Sequence, residues 1–411
     1  MSIRSFSRDF GVMPRNVKVS IYVLPLWAIP FNLINSYASL YMLNQGIPAT
    51  KVGLINSASF ILKTFLALFA GHIINRFGRR VTVGILDLAG WAVPMLIYSL
   101  AENYWQFMLA AMVNCITVIN GIVSPCFLVE DVEAEVRIKA FNFSAITSSL
   151  CGIFVPVTGL IIKRFEFIPA IRALYLFAFI CMGTAAVCKL AFLRETSVGK
   201  EMMKRKATLG NPIRKLLNPL RYIFANHRLV FLFSLNIMIN FATNINNLYF
   251  FPFLTKSLHF SNASISLFPF ITTAISLLVY FFVISTIRHM ERSAFFSIGM
   301  YAMGALLLIA SYFITGKLAL LCVACWAVAG AILNPVLNTM IANTIQDEMR
   351  TEVFGVFNVF SMLCMFPAGY FGGWLYESSP FYPIVFIFGV YLTGFCIFLL
   401  SGKKSYGKNH P

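Results

Sequence analysis

Long apolar stretches alternate with short polar segments along the whole chain. A helix needs about 20 apolar residues to cross the hydrocarbon core of a bilayer. Twelve stretches reach this length, so the pattern predicts twelve membrane-spanning helices, numbered span 1 to span 12. The predicted spans cover residues 19–44, 52–74, 81–101, 105–129, 140–162, 171–193, 229–254, 263–287, 294–315, 318–344, 353–376 and 381–401.

The longest polar segment separates span 6 from span 7. It covers residues 194–228, is rich in Lys and Arg, and divides the chain into predicted halves at 1–193 and 229–411. Apolar residues recur at near-helical spacing from Asn211 to Ala225, which predicts a helix along the membrane surface. We therefore expect an all-α membrane protein built from two six-helix bundles joined by a linker.

Composition supports a membrane protein and limits its partners. Hydrophobic residues make up 59% of the 411 residues and charged residues only 11%, whereas a soluble chain carries about 25% charged residues. The formal net charge is +17, but the cations lie in loops between apolar spans rather than on one basic helix. They predict contacts with anionic lipid headgroups and argue against nucleic acid as a partner.

The distribution of Lys and Arg predicts the orientation in the membrane. Most of the 32 cations lie at the two chain ends and in the loops from even-numbered to odd-numbered spans. The opposite loops carry only Lys51, Lys163, Arg164, Arg172, Lys256 and Lys317. By the positive-inside rule, both termini are predicted to be cytoplasmic in a multi-pass protein of the cytoplasmic membrane.

The two halves echo each other in sequence. Span 1 reads Asn-x-x-Asn-x-Tyr from Asn32, and span 7 reads the same from Asn244, at an offset of about 212 residues. A Glu-x-Arg pattern precedes span 5 at Glu135 and span 11 at Glu348. These echoes predict two bundles related by pseudo-symmetry.

A basic turn lies between spans 2 and 3. It reads Gly-His-Ile-Ile-Asn-Arg-Phe-Gly-Arg-Arg over residues 71–80. Gly71 and Gly78 are expected to let the helices reverse direction. The stretch resembles the loop signature of the major facilitator superfamily, Gly-x-x-x-Asp-Arg-x-Gly-Arg-Arg/Lys, with Asn75 in place of the acid. This departure implies that part of the usual interhelical charge contact is an uncharged hydrogen bond or is missing.

The resemblance implies a fold, a mechanism and a charge network. Carriers of this superfamily alternate access by rocking two six-helix bundles around a substrate site between them. Charged residues near the turn form contacts that break during this motion; a solvated acidic loop is the alternative interpretation. The residues implied are Arg76, Arg79, Arg80, Glu130, Asp131 and Arg137 in the first half, with Glu348 and Arg350 in the second.

Asparagines inside the spans are the main candidates for binding substrate. Polar residues are costly in lipid, so they face a cavity or a partner helix. The candidates are Asn32 and Asn35 in span 1, Asn114 in span 4, Asn240, Asn244 and Asn247 in span 7, and Asn334 and Asn338 in span 10. Spans 1, 4, 7 and 10 line the central cavity in carriers that this chain resembles. Interhelical hydrogen bonding, at about 0.6 kcal/mol each, is the alternative.

Two charged residues inside spans add specific hypotheses. Lys63 lies about 18 Å from the end of span 2 that carries the turn. It either binds an anionic group of the substrate, pairs with Asp87 of span 3, or is neutral. Asp87 is the carboxylate deepest in a span and is therefore the candidate for proton coupling. Its alternative role is structural, in a charge network with Arg76 or Arg137.

These features predict a secondary carrier for a small polar organic solute, either a sugar or glycoside or an organic anion. The alternative is an exporter of amphipathic or drug-like compounds. Only Pro156 and Gly159 match the antiporter motif of such exporters, which argues against it. The chain lacks a phosphate-binding loop and clustered metal ligands, so we expect no enzyme activity, cofactor or metal. The expected partners are the solute, protons or a counter-solute, and membrane lipids, with the chain acting as a monomer.

Overall fold

The computed structural model describes residues 13–204, 214–283, 287, 289–346 and 349–406, and all regular elements in these ranges are helical. Twelve of the described helices are long and apolar enough to cross a membrane. They extend over Arg15–Asn35, Ala49–Phe77, Arg79–Leu100, Tyr104–Val129, Lys139–Arg164, Phe167–Phe192, His227–Lys256, Ser264–Phe282, Met290–Phe313, Leu318–Thr344, Val353–Ser378 and Tyr382–Leu399. Each coincides with a predicted span and keeps its number, which confirms the all-α, twelve-span fold.

Three shorter helices of the described ranges lie outside these spans. Ala38–Asn44 follows span 1 after a turn at Ser36 and Tyr37, so the predicted first span is two helices. Ser197–Lys204 follows span 6, and Arg214–Ala225 precedes span 7. The last agrees with the helix predicted from Asn211 to Ala225, of which residues 211–213 lie outside the described ranges.

Spans 3, 4 and 5 are interrupted between their ends. Span 3 contains a π-helical segment, Leu88–Ala92, directly after Asp87. Span 4 contains a turn at Cys115 and Ile116. Span 5 narrows to a 3₁₀ turn over Gly152–Phe154, just before Pro156. Single π-helical turns are frequent at functional sites, and the first interruption adjoins a buried carboxylate.

Contacts along the chain define two compact units. The first contains Met1–Tyr41 and Ala58–Pro212, and the second contains Met42–Ser57 and Ile213–Pro411. The beginning of span 2 is therefore grouped with the second unit, which the hydrophobic pattern does not anticipate. The predicted division at 1–193, 194–228 and 229–411 stays a prediction.

Spans pack against one another within each unit. In the first, Ile74, Val83, Phe127 and Leu193 pack together and join spans 2, 3 and 4 to the end of span 6. In the second, the beginning of span 2 lies against span 11, where the N–H of Tyr370 donates to Oγ of Ser57 at 3.0 Å. Tyr249 of span 7 donates from its Oη to the Ala49 carbonyl at 3.1 Å.

Candidate functional site

An ion pair buried in the first unit joins three spans. Asp87 on span 3 accepts from Nζ of Lys189 on span 6 at 2.5 Å. Its other oxygen, Oδ1, accepts from Nδ2 of Asn120 on span 4 at 2.6 Å. Asp87 is only 5% exposed. Both carboxylate oxygens therefore have a partner, as a charge removed from water requires.

A cavity of about 460 Å³ adjoins this ion pair. Asp87, Lys189 and Asn120 line one part of it, and Trp27 and Trp91 contribute aromatic rings. The two indoles meet edge to face with their centroids 5.1 Å apart. The first unit thus combines a charged pair, an amide and flat apolar surfaces around one space.

Two polar atoms at this cavity lack a partner. Oδ1 of Asn120 and Nε1 of Trp27 are buried, and neither makes a hydrogen bond within the part of the chain that the structure describes. Asn120 itself is 3% exposed. Most buried polar groups are hydrogen-bonded, so such exceptions mark places where a bound or rearranged group can supply the missing bond.

The structure corrects the predicted partners of Asp87. The sequence offered Lys63, Arg76 or Arg137, whereas the carboxylate pairs with Lys189. Lys189 lies within span 6, and it reaches Asp87 because the two helices pack against each other. The sequence feature that could have indicated this partner is Lys189 itself, because it is the second lysine, after Lys63, inside an apolar span.

Lys63 is half-buried and has an aromatic neighbour. Its Nζ lies 6.0 Å from the ring centroid of Phe60, within reach of a cation–π contact. Among the described residues, no carboxylate lies within ion-pair distance of it. Its predicted role in binding an anionic group stays a prediction.

The candidate asparagines of the first unit have different environments. Asn114 donates from Nδ2 to the Gly90 carbonyl at 2.8 Å, inside the π-helical segment of span 3. This contact between spans 4 and 3 agrees with the interhelical alternative. A π-helical turn disturbs the regular backbone bonds, so its carbonyls can accept from a side chain of another helix. Asn32 is half-buried and Asn35 is exposed.

The candidate asparagines of the second unit are mostly accessible. Asn240 donates from Nδ2 to Oδ1 of Asn236 at 2.5 Å, one turn away on span 7. Oδ1 of Asn244 is buried and lacks a hydrogen-bond partner among the described residues. Exposed side chains are found at Asn247, Asn334 and Asn338.

The basic turn is held by acidic residues from two other segments. Arg79 donates from Nη1 to Oδ1 of Asn75 at 3.1 Å and forms an ion pair with Glu130 at 3.3 Å. Its backbone N–H donates to Oε1 of Glu195 at 2.8 Å. Glu195, which follows span 6, is absent from the sequence-based candidates although it is an acid at the end of a span.

Further contacts extend this network. Asp131 accepts from the backbone N–H of Ser197 at 2.8 Å, and Thr196 donates to Oε2 of Glu130 at 2.5 Å. Arg80 donates from Nε to a carbonyl of span 6 at 2.9 Å. Arg79, Arg80, Glu130 and Asp131 therefore join the turn and the end of span 4 to the segment after span 6.

Only one of the two predicted turn glycines lies at the reversal. Gly78 has φ 80° and precedes the helix of span 3. Gly71 lies inside the helix Ala49–Phe77, and a Cβ added there would meet nothing within 4 Å. The prediction that both glycines enable the turn is therefore wrong for Gly71.

Other members of the predicted network differ in their contacts. Arg76 is exposed, with its guanidinium carbon 5.7 Å from the ring centroid of the next residue. Arg137 donates from Nε to the nearby carbonyl of Val132 at 2.9 Å. Glu348 lies outside the described residues, as does the side chain of Arg350, which begins a helix.

Comparison with known proteins identifies the family. The profile of the Major Facilitator Superfamily matches residues 26–369. The chain belongs to the Major Facilitator Superfamily. Partial matches to curated members agree: an uncharacterised MFS-type transporter, YqjV of Bacillus subtilis (strain 168), is 26% identical over 118 residues, covering 28% of either chain.

A second relative has a named activity. The multidrug resistance protein MdtG of Citrobacter koseri is 29% identical over 100 residues, covering 23% of this chain and 24% of that protein. The chain thus matches about a quarter of the length of these curated relatives.

Solved structures of superfamily members share the fold. The nucleoside transporter NupG superposes with a TM-score of 0.71 at 13% identity, covering 94% of this chain and 99% of that one. The inward-open xylose transporter XylE from E. coli gives 0.68 at 14% identity, with 93% and 94% covered.

The turn carries an amide where the loop signature of the superfamily has an acid. Asn75 stands where the loop signature has a carboxylate, and it makes an uncharged hydrogen bond to Arg79. The carboxylate of Glu195 instead meets the backbone of the turn. The carboxylate that contacts the backbone of this turn therefore comes from the segment after span 6.

Proposed function

We propose that this superfamily member is a secondary carrier that moves a small polar organic solute across the cytoplasmic membrane by alternating access. The observation that carries the proposal is the cavity beside Asp87 and Lys189. At about 460 Å³, it falls within the size range of small-molecule sites, about 300–1,000 Å³. Charge, amide and aromatic groups together suit a sugar, glycoside or organic anion.

The predicted asparagines and Lys63 are part of this proposal. Accessible amides at Asn35, Asn247, Asn334 and Asn338 offer both donors and acceptors for hydroxyl or carboxylate groups. Oδ1 of Asn244, which has no hydrogen-bond partner among the described residues, supports the same role. Asn114 is the weakest member, since its amide already bonds to span 3.

The proposal also includes orientation, coupling and assembly. The excess of Lys and Arg at the chain ends supports cytoplasmic termini and contacts with anionic lipids. Asp87 is the proposed coupling residue for protons, with a counter-solute as the other possible driving partner. The chain is proposed to act as a monomer.

Export of amphipathic or drug-like compounds is the second candidate. The named activity of MdtG favours it, as do the indoles of Trp27 and Trp91 at the cavity. The exporter would move cationic dyes outward against their gradient, whereas the proposed carrier moves polar solutes.

Proteoliposomes containing the full chain test both candidates. We expect saturable uptake of at least one sugar, glycoside or organic anion, and if the solute is an anion, Lys63→Ala should reduce its uptake at least about tenfold. Lys163→Ala, which changes an exposed lysine at the end of span 5, is the matched control. Movement of ethidium or rhodamine without uptake of any polar solute would favour the exporter and contradict the main proposal.

A further inference from the structure

We infer that the cavity of the first unit binds a zwitterion, an amino acid with an apolar side chain, through the ion pair of Asp87 and Lys189. The inference rests on the proposed carrier function and names a class of small polar solute other than sugars, glycosides and organic anions. Both charged residues line the cavity and belong to the first unit.

The cavity has charges of both signs and no net charge. Among the described residues that line it, Asp87 is the one carboxylate and Lys189 is the one cation. A singly charged solute of either sign would leave one charge without a counter-ion in a buried site, which is unfavourable. A zwitterion brings one charge of each sign and leaves the site neutral.

Both members of the ion pair can still bind a solute. A carboxylate has about four acceptor sites, and Asp87 uses one for Nζ of Lys189 and one for Nδ2 of Asn120. An ammonium group has three N–H donors, and the bond to Asp87 is the one hydrogen bond of Nζ within the described parts of the chain. The ammonium group of the solute can therefore bind Asp87 while the carboxylate of the solute binds Lys189.

Two further polar atoms at the cavity lack partners of opposite kinds. Oδ1 of Asn120 is an acceptor and Nε1 of Trp27 is a donor, and both are buried without a hydrogen bond to the described residues. An ammonium group can donate to the first atom, and a carboxylate can accept from the second. A sugar hydroxyl can also bond to either atom, but a zwitterion supplies both with charge-assisted bonds, which are about twice as strong.

The rest of the lining favours an apolar side chain over further hydroxyl groups. Aliphatic and aromatic residues form most of it, among them Val83, Trp91, Phe127 and Phe141. A sugar would place hydroxyl groups against these side chains, and a buried hydroxyl without a partner is unfavourable. An amino acid instead has its two charges at one end and an apolar group at the other.

Gly121 provides a way to fill this space without removing a charge. It lies in span 4, directly after Asn120, and lines the cavity. A Cβ added there would meet nothing within 4 Å. A larger side chain at this position can therefore occupy the cavity while Asp87 and Lys189 stay in place.

Binding to the full chain in detergent tests the inference with matched ligands. L-Phenylalanine is the zwitterion, 2-phenylethylamine lacks its negative charge, 3-phenylpropionate lacks its positive charge, and 3-phenylpropionamide lacks both. Tryptophan fluorescence reports binding. We expect phenylalanine to bind at least about tenfold more tightly than each of the three analogues. L-Leucine should bind as well, because its side chain is also apolar.

Charge variants locate the effect. Lys189→Gln should weaken phenylalanine binding at least about thirtyfold and leave 2-phenylethylamine as the tightest of the four ligands, because Asp87 has then lost its cation. Asp87→Asn should instead leave 3-phenylpropionate as the tightest. A merely structural role of the ion pair would weaken all four ligands alike. The exposed control Lys163→Gln should change none of these affinities.

Gly121→Leu keeps the test decisive if the charge variants do not fold. It retains both charges and should weaken phenylalanine binding at least about thirtyfold. A cooperative unfolding transition in detergent shows that this variant is folded. The ligand series on the unmodified chain needs no variant and decides if none of them folds.

Three results would overturn the inference: no binding of phenylalanine or leucine, equal binding of phenylalanine and any of its analogues, or unchanged binding in folded Gly121→Leu. Uptake of sugars, glycosides or organic anions by proteoliposomes, without binding of either amino acid, would overturn this inference and leave the carrier proposal standing. Absence of uptake for every solute, amino acids included, would instead contradict the carrier proposal.

Discussion

Glu195 caps the helix that begins at Arg79. Its Oε1 accepts from the backbone N–H of Arg79 at 2.8 Å, and its Oε2 accepts from that of Arg80 at 2.9 Å. The first N–H groups of a helix have no acceptor within the helix and carry partial positive charge. A carboxylate from the segment after span 6 therefore satisfies two of them and ties that segment to the turn before span 3.

Removing this carboxylate should destabilise the first unit. We expect Glu195→Ala to lower the free energy of unfolding by about 1–2 kcal/mol, because two helix N–H groups lose their acceptor. Glu195→Gln should cost less, since its amide oxygen still accepts one bond. Thermal unfolding of the purified chain in detergent, followed by tryptophan fluorescence, measures the effect.

Glu166→Ala is the matched control. Glu166 precedes the helix of span 6 but makes no capping hydrogen bond. We expect this change to shift stability by no more than about 0.5 kcal/mol. Equal losses in the two variants would show that the contacts of Glu195 contribute nothing specific.

The two glycines of the turn should respond oppositely to substitution. Gly78→Ala places a side chain at φ 80°, where its Cβ also meets Glu195, so we expect a loss of about 1–3 kcal/mol. Gly71→Ala lies in a helix with open space around it and should be neutral or stabilising by up to about 1 kcal/mol. The same thermal unfolding assay compares them; a larger loss at Gly71 would contradict the structure.

The spans were predictable because hydrophobic length is a local property. Span 8, for example, was expected over 263–287 and is found as Ser264–Phe282. The capping by Glu195 was not predictable in this way, because 116 residues separate it from Arg79. Nothing near Glu195 in sequence indicates that its carboxylate contacts the turn that carries Asn75.

The candidate site was only partly predictable for a similar reason. Asp87 stood out as a carboxylate within a span, but its partner depends on how spans 3 and 6 are rotated about their axes. Asn114 was a candidate because it lies inside span 4, and that position cannot reveal that the π-helical segment of span 3 places the Gly90 carbonyl within its reach. Backbone irregularities and helix rotation are set by packing, which a periodicity argument does not contain.

Removing one charge of the Asp87–Lys189 ion pair should lower the free energy of unfolding more than removing both charges. Lys189→Met leaves the Asp87 carboxylate buried with Asn120 as its remaining partner, and we expect a loss of about 3–5 kcal/mol. The double variant Lys189→Met, Asp87→Asn removes both charges and should recover at least about 2 kcal/mol of that loss.

Unfolding in detergent with increasing concentrations of denaturant measures the stability of the unmodified chain, of both single variants and of the double variant. The remaining single variant, Asp87→Asn, leaves Lys189 unpaired and should also be less stable than the double variant. Additive losses in the double variant would mean that the two side chains do not interact, contrary to their 2.5 Å separation.

Close packing of glycines in the second unit leads to the last prediction. A Cβ on Gly53 of span 2 would collide with the backbone carbonyl of Gly369 of span 11. Small residues allow helices to approach this closely in membranes, and a backbone obstacle cannot rotate away. We expect Gly53→Ala to cost about 1–3 kcal/mol in the unfolding assay. Gly389→Ala is the control, because its Cβ would meet nothing within 4 Å; if both variants unfold alike, spans 2 and 11 do not pack through Gly53.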